Sequence, residues 1–521
     1  MSEEDTSEQP AERRRPASRG GGRTQPAQPA PPQRDAGDSN GEAGTAMNRN
    51  FLTEIQEPAW SVVVDLGSAV QVARAGVGES PLDKLTAIAG REPAPVFDPP
   101  RRDPSVASAT VATARGLAAP PGFDTGRFVE FPVDGQRAAT DLAAEIRKGQ
   151  IDQVTEVLPV PAAVPALGPA SMEPASNASA FNPPNFFDRQ SYVAPGPAGF
   201  GFLQAWSLPG GDASGVTIID VEGGWRTSHD ELQAARFSLW SGNNTDADSW
   251  QDHGCAVVSL LSASHNGMGT ASICPGARVG MVSVFEGKPP GRQRIANQIF
   301  NAGMMLNAGD VLLLELQRPG PRTQYAADAD QKGYVPLVFW PDVRAVVRDL
   351  VARGVTVVSV AGNGGENLDD EIYGDRFDPS KSDSGCIMVG AGAPPFGDFG
   401  PARSRLAFSN YGAAIDVQAW GQMVTTAGYG DLWGGQDTPD RRYTARFMGT
   451  SSAGPLIAGL VACVQGRHKA VFGVPLNPLY LRQMLRTVGW RAEDDEAAEQ
   501  GRPSFALQPD LAELFARLDL A

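Results

Sequence analysis

Short apolar runs rich in β-branched residues alternate with helical patterns from about residue 197 onward, and this alternation constrains the fold most. Several runs are apolar throughout, which is typical of strands covered on both faces. The pattern predicts an α/β architecture, a parallel sheet with helices on both faces and sites at the carboxyl ends of the strands. The predicted strands are 215–220, 277–285, 310–316, 354–363, 385–392 and 413–420, and the predicted helices follow His253 and cover 294–306, 341–354 and 452–465.

The sequence before this region divides into segments of different composition. Residues 1–46 are rich in Pro, Gly, Gln, Arg and Glu, so we expect a disordered tail. Residues 47–126 surround one apolar stretch, a strand or a short helix, with Pro-rich runs, and we expect them to be poorly ordered. Residues 127–158 have the pattern of a small β-α-β unit, which must pack on another domain to be stable. Residues 159–196 are predicted to be an exposed linker to the main domain at 197–521.

Charge and composition exclude several classes of function. The net charge of -16 argues against a nucleic-acid partner, because phosphate contacts require clustered Lys and Arg. The sequence has neither an apolar run of the roughly 20 residues that span a bilayer nor an apolar signal segment, which argues against a membrane partner. We therefore expect a cytoplasmic protein, with secretion by another route left open. The cysteines lack CxxC spacing, which indicates buried free thiols rather than a zinc site.

Histidine is the usual base for a hydroxyl nucleophile, and the chain has 4 histidines. His229 and His265 fall in predicted loops, and His468 falls at a polar helix end. His253 differs, because Gly254 follows it and an apolar helix begins there. A lone histidine at a helix start is more often structural than catalytic, so its assignment depends on other residues.

Polar residues end two of the predicted strands. Asp220 ends the first strand and Asn363 ends 354–363, so both would lie at the rim where sites form. Taken alone, Asp220 fits a helix or turn cap better than a site residue, and Asn363 fits a plain turn residue. Ser451 falls in the first turn of a predicted helix, where capping is its simplest role. The same position also places backbone N–H groups and the helix dipole beside the hydroxyl, where they favour the negative charge of an acyl-transfer intermediate.

The local motifs around these four residues resemble those of the subtilisin-like (S8) serine peptidases, in the same order and over roughly 197–490. The motifs are IIDVEGGWRTSHDEL with Asp220, DHGCAVVSLLSA with His253, VVSVAGNGG with Asn363 and GTSSAGPLIAGLV with Ser451. The resemblance implies a three-layer subtilisin-like domain that hydrolyses proteins or peptides as a serine endopeptidase. It also implies the roles: Ser451 is the nucleophile, His253 its base and Asp220 the orienting acid. Asn363 and the Ser451 N–H would bind the oxyanion.

Two departures from the family pattern concern the site. Cys255 stands where the family usually has Thr, which alters packing beneath the imidazole. Glu315, Leu316 and Gln317 replace the usual Ser-Leu-Gly on the strand that pairs with the substrate backbone. The resemblance therefore implies that these three residues bind substrate, but it leaves the side-chain preference open.

Two further features of the family bear on partners and cofactors. The unit at 127–158 resembles the inhibitory propeptides of the family, which implies an intramolecular partner that is cut away within about 159–196. A permanent accessory domain is the alternative. The loop around Asn266, with Glu231 earlier, resembles a region where many members hold calcium, but it is short of carboxylates. We predict no cofactor and no metal ligand, with calcium as the one candidate.

Three other functions compete with this interpretation. A binding protein could keep a protease fold without activity, because fold does not imply function. A metal hydrolase could use His253, Asp252 and Asp220, but a second well-placed histidine or a carboxylate cluster is missing from that set. An esterase would use the same acyl chemistry as a peptidase.

Overall fold

The computed structural model describes residues 60–67, 80–98, 123–167, 182–232, 237–287, 292–435, 437–493 and 505–520. The tail predicted for 1–46 lies outside these residues. Among the helices of the described ranges, none combines the length and the apolar character that crossing a membrane requires.

The described elements are helices and short strands. The α-helices are α1 (Pro81–Ala89), α2 (Gly135–Lys148), α3 (Phe202–Ala205), α4 (Asp248–Ser262), α5 (Ile295–Met304), α6 (Pro341–Ala352), α7 (Thr450–Phe472), α8 (Pro478–Leu485) and α9 (Leu511–Arg517). The strands are β1 (Trp60–Asp65), β2 (Ala94–Pro95), β3 (Phe128–Val133), β4 (Glu156–Val160), β5 (Val164–Pro165), β6 (Thr217–Glu222), β7 (Phe237–Ser241), β8 (Arg278–Ser283), β9 (Phe285–Glu286), β10 (Arg292–Gln293), β11 (Val311–Leu314), β12 (Leu316–Pro319), β13 (Tyr334–Pro336), β14 (Thr356–Val360), β15 (Ile387–Gly392), β16 (Val417–Trp420), β17 (Val424–Ala427) and β18 (Tyr443–Phe447).

A seven-stranded parallel sheet forms the centre of the main domain, in the order β16-β15-β14-β11-β6-β8-β7. Strands β11, β14 and β15 are buried along their whole length, as expected where both faces are covered. Helix α5 packs on α6 and helix α4 packs on α7, and both pairs also contact the sheet. The predicted three-layer α/β fold is confirmed.

Two strand ends differ from the prediction at places that matter for the site. Strand β6 continues to Glu222, so Asp220 lies inside the strand rather than at its end. Side chains alternate along a strand, so Asp220 and Glu222 share one face. The predicted strand 310–316 is divided into β11 and β12, with Glu315 between them.

The N-terminal unit is a second, antiparallel sheet in the order β2-β3-β1-β4. Helices α1 and α2 pack on each other, α2 also contacts β1 and β4, and the unit has a small hydrophobic core of its own. The predicted β-α-β unit at 127–158 corresponds to β3, α2 and β4. Strand β1 lies between β3 and β4. It falls in the apolar stretch for which the sequence alone leaves both a strand and a short helix open.

Residues 159–167 differ from the exposed linker predicted for 159–196, because each of them is buried. Strand β5 pairs antiparallel with β12, which in turn pairs with β13 to form a three-stranded sheet. The backbone of a Pro- and Ala-rich segment is thereby paired with the main domain. Neighbouring strands, rather than its own composition, order this segment.

Candidate active site

His253 lies within α4, and its imidazole is fully buried. Its Nδ1 contacts a carboxylate oxygen of Glu222, and the ring packs edge-on against Phe447 with a centroid distance of 5.6 Å. Burial lowers the pKa of His253 to about 3 and raises the pKa of Glu222 well above its usual value. The imidazole is therefore uncharged at neutral pH, the state in which it can accept a proton.

Asp220, the predicted orienting acid, has a different contact. Its Oδ2 accepts a hydrogen bond of 2.7 Å from the indole Nε1 of Trp225. Burial and the charge of Glu222 raise the pKa of Asp220. The carboxylate that the structure places against the imidazole of His253 is that of Glu222. Glu222 carries the sequence signal used for Asp220, a carboxylate that ends a buried strand, but it follows two residues later, immediately before Gly223.

Ser451 lies in the first turn of α7, which follows Gly449 in a left-handed backbone conformation with φ 104°. The hydroxyl of Ser451 donates to the backbone carbonyl of Glu315 at 3.4 Å. The neighbouring Ser452 donates its hydroxyl to the carbonyls of Trp420 and Gly449, at 2.8 Å and 3.0 Å. These bonds assign a structural role to Ser452.

Asn363 follows β14 and is held beside the start of α7. Its Oδ1 accepts hydrogen bonds from both the backbone N–H and the hydroxyl of Thr450, each at 2.9 Å. Its Nδ2 donates to Oε1 of Gln331 at 3.4 Å. The side-chain oxygen is thus anchored to Thr450, the residue before Ser451.

A segment of the chain itself runs past Ser451 alongside β12. The N–H of Ala166 donates to the carbonyl of Glu315 at 3.2 Å, and the carbonyl oxygen of Ala166 accepts from the N–H of Ser451 at 3.2 Å. The carbonyl group of Ala166 is therefore bound by the backbone N–H of Ser451, the residue that the sequence predicts as the nucleophile.

Backbone contacts also hold the residues on both sides of Ala166. On one side, β5 pairs with β12, and Gln293 exchanges two hydrogen bonds of 2.7 Å and 2.9 Å with the backbone of Ala163. On the other side, Leu167 forms an antiparallel bridge with Gly449. Addition of a strand to the edge of a sheet is one of the ways in which proteins bind extended peptides.

The three residues predicted to bind substrate all contact this segment. Leu316 pairs with Pro165 in the ladder between β12 and β5, and Nε2 of Gln317 donates to the carbonyl of Pro165 at 3.4 Å. Glu315 contributes its carbonyl, as described above. Its side chain is fully buried, and burial together with the charges of Asp220 and Glu222 raises its pKa.

In the loop that the sequence names as the one candidate for calcium, the side chains of Glu231 and Asn266 are hydrogen-bonded within the protein. Oε1 of Glu231 accepts hydrogen bonds from the N–H of Thr270 at 2.8 Å and from the hydroxyl of Tyr443 at 3.0 Å, and burial raises the pKa of Glu231 to about 7. Oδ1 of Asn266 accepts from the N–H of Met268 at 2.9 Å. In the part of the chain that the structure describes, no group of three or more His, Cys, Asp and Glu side chains could hold a metal ion.

The remaining histidines and cysteines have structural environments. Nε2 of His229 lies 2.9 Å from the carbonyl of Arg442, and burial lowers its pKa to about 4. His265 and His468 also contact backbone carbonyls. All four cysteines are buried free thiols, as the sequence predicts: Cys255, Cys274, Cys386 and Cys463.

Comparison with known proteins gives a family match. The model of the Subtilase family matches residues 228–501, a range that contains His253, Asn363 and Ser451 and begins after Glu222. The extracellular protease of Xanthomonas campestris pv. campestris is 26% identical over 329 residues, which cover 56% of this chain and 49% of that protein. The major intracellular serine protease of Bacillus subtilis is 25% identical over 313 residues, 56% of this chain and 85% of that protein. The chain thus spans about half the length of the Xanthomonas relative.

A solved structure supports the fold over a longer stretch. Fervidolysin from Fervidobacterium pennivorans, a keratinolytic enzyme related to subtilisin, matches with a TM-score of 0.52 at 15% identity. The match covers 88% of this chain and 61% of fervidolysin. Residues 197–521 alone are too few to account for that share of this chain, so the match also includes residues before 197. At this identity the likeness concerns the fold alone.

Proposed function

Because the chain belongs to the subtilase family, we propose that it is a serine endopeptidase that forms an acyl-enzyme on Ser451. One observation carries the proposal: the N–H of Ser451 binds the carbonyl oxygen of Ala166, inside a segment that pairs with β12 as an added strand. Peptides and proteins are the substrates that this backbone-directed binding would accept.

In the proposed mechanism, His253 takes the proton of the Ser451 hydroxyl as the oxygen attacks a peptide carbonyl carbon, and then gives the proton to the leaving amine. Glu222 contacts Nδ1, so Nε2 is the nitrogen that serves Ser451. Glu222 would hold the imidazole in the productive tautomer and stabilise its cation, the role that the sequence analysis gave to Asp220.

The oxyanion would be bound by two donors. The N–H of Ser451 already binds a peptide carbonyl oxygen in the structure. Asn363 would supply the second donor, because its Nδ2 carries two hydrogens and donates one of them to Gln331. Donors that are in place before the charge develops stabilise the tetrahedral intermediate without reorganisation.

We further propose that residues 1–166 are an intramolecular propeptide and that the first peptide bond cut is Ala166–Leu167. The N-terminal unit is attached to the main domain by several contacts that support this arrangement. Glu156 accepts hydrogen bonds from Arg344 at 3.1 Å and from Arg376 at 2.7 Å, and the indole of Trp340 donates to the carbonyl of Pro159 at 3.0 Å. These contacts lead directly into the segment that crosses Ser451.

A serine-reactive fluorophosphonate probe tests the nucleophile. We expect the probe to label the incubated wild-type protein and to abolish its hydrolysis of casein, and we expect neither labelling nor hydrolysis with Ser451→Ala. The variant Ser452→Ala is the matched control and should still be labelled. Hydrolysis that survives in Ser451→Ala but stops with a chelator would indicate a metal hydrolase. A folded wild-type protein without labelling or hydrolysis would indicate a binding protein.

A further inference from the structure

Gln331 lies in the loop between β12 and β13 and contacts the segment just beyond Ala166. Its Nε2 donates to the carbonyl oxygen of Leu167 at 2.7 Å, and the side chain is buried. We propose that Gln331 binds the carbonyl of the first residue after the scissile bond and thereby selects substrates that continue as a peptide on the leaving side. This inference rests on the proposed function, because it takes Ala166–Leu167 as the scissile bond.

The backbone of the loop holds Gln331 in this position. Its φ is 60°, in the left-handed region that few residues other than glycine adopt. The N–H of Gln331 donates to the carbonyl of Asp328 at 3.1 Å, and its own carbonyl accepts from the N–H of Tyr334 at 3.1 Å. A costly backbone conformation that its surroundings maintain is a frequent feature of ligand-binding positions.

A chain of amides fixes which end of the Gln331 side chain faces the segment. The backbone N–H of Asn363 can only donate, and Oε1 of Gln317 accepts from it at 2.8 Å. Nε2 of Gln317 therefore points away from Asn363 and donates to Oε1 of Gln331. Nε2 of Gln331 then faces the carbonyl of Leu167, which can only accept. Backbone groups at both ends of the chain thus determine the orientation of both amides.

The two glutamines contact the segment on opposite sides of Ala166. Gln317 donates to the carbonyl of Pro165, and Gln331 donates to the carbonyl of Leu167. A substrate that lacks a carbonyl on the first residue after the scissile bond would leave the buried Nε2 of Gln331 without its acceptor, which costs binding free energy. The pair therefore favours peptides over substrates whose leaving group is a simple anilide or alcohol.

Two substrates with the same acyl half separate the role of Gln331 from that of the other site residues. One is the p-nitroanilide of Ala-Val-Pro-Ala, whose leaving group has no peptide carbonyl. The other is a quenched fluorescent peptide with Ala-Val-Pro-Ala-Leu-Gly, the sequence of residues 163–168. The full chain is incubated until processing is complete, and kcat/KM is measured for both substrates.

We expect Gln331→Met to lower kcat/KM for the peptide about five- to tenfold more than for the anilide, the loss typical of one hydrogen bond. Gln331→Glu keeps the shape of the side chain, but an ionised carboxylate cannot donate a hydrogen bond. The ratio of kcat/KM for the peptide to kcat/KM for the anilide should therefore fall in this variant as well. Gln324→Met is the matched control, because Gln324 lies in the same loop with a φ of 53° and an exposed side chain. It should leave the ratio unchanged.

The outcomes distinguish the inference from the function on which it rests. An equal loss of kcat/KM on both substrates would overturn the inference, because Gln331 would then act only through Asn363. No loss of kcat/KM in either Gln331 variant would also overturn it, because Gln331 would then have no role in binding. A wild-type protein that hydrolyses neither substrate would overturn the proposed function as well. Fluorophosphonate labelling of each variant checks that its active site is folded.

Discussion

Glu222 contacts the imidazole of His253 from the last position of β6, whereas Asp220 is hydrogen-bonded to Trp225 from inside the strand. The longer glutamate side chain begins at the rim of the sheet, where the neighbouring residues are Gly223 and Gly224. A side chain added at Gly223 would meet the ring of Trp250 at 2.2 Å, so this turn can carry only glycine. The backbone next to Glu222 is thus constrained by how closely the turn after β6 packs on α4.

Exchange of either carboxylate for its amide tests which acid serves His253. We expect Glu222→Gln to lower kcat about 10³- to 10⁴-fold, because the imidazole loses the partner that fixes its tautomer and stabilises its cation. Asp220→Asn should lower kcat less than about tenfold, because the amide oxygen can still accept from Trp225. The measurement is kcat on the quenched peptide for both variants. The reverse order of the two effects would return the role to Asp220.

Glu315 makes stability depend on pH. Burial and the charges of Asp220 and Glu222 raise its pKa above 4.5, the value expected in the unfolded chain. A carboxyl whose pKa is raised by folding makes its full contribution to the free energy of unfolding below its pKa in the unfolded chain. That contribution is lost as the pH rises from there towards its pKa in the folded protein. The glutamine in Glu315→Gln cannot ionise, so the stability of this variant does not decrease with pH for this reason.

The prediction for Glu315 is made in the Ser451→Ala background, which prevents self-digestion. We expect the Tm of Glu315→Gln, relative to its parent, to increase between pH 4.5 and pH 8. Glu371→Gln, at an exposed carboxylate, is the control and should show no such trend. A Tm difference for Glu315→Gln that stays constant or decreases with pH would contradict the burial of an ionisable group beside Ser451.

At the scale of elements, the central sheet is predictable from sequence because its strands are covered on both faces. Strands of that kind are nearly uninterrupted apolar runs, and β11, β14 and β15 fall inside predicted strands. The end of β6 is less visible, because Asp220 inside the strand already breaks the apolar run. The predicted strand therefore ended two residues early, and Glu222 was not considered as a partner of His253.

Other elements are ordered by partners that the sequence does not identify. The segment 159–167 has a linker-like composition, and its order comes from pairing with β12 and from contacts with Ser451 and Gln293. Strand β1 requires β3 and β4 on both sides. Gln331 lies in a loop without periodicity, and a bond from a side chain to a backbone carbonyl leaves no motif, so sequence reasoning missed it. His253, Asn363 and Ser451 could be named as candidates from the sequence because the motifs around them are local, and their roles remain predictions.

At the scale of the whole molecule, residues of the N-terminal sheet also belong to the main hydrophobic core, and one segment of the chain runs from that sheet across Ser451. The N-terminal sheet also has a small core of its own and an ion pair to α6, and β4 continues into the residues that lie along Ser451. In this arrangement a substrate peptide cannot occupy the same edge of β12. The catalytic domain would therefore be inhibited until the chain is cut and the segment leaves.

Self-cleavage of the purified full-length chain tests this account most directly. Wild-type protein and Ser451→Ala are incubated side by side, and the products are analysed by N-terminal sequencing and intact mass. We predict that the wild type yields a new N-terminus at Leu167 with the sequence LGPAS, and that Ser451→Ala remains intact. A wild-type chain that stays uncut between 166 and 167 while it hydrolyses other peptides, or a Ser451→Ala chain that is cut there, would contradict it.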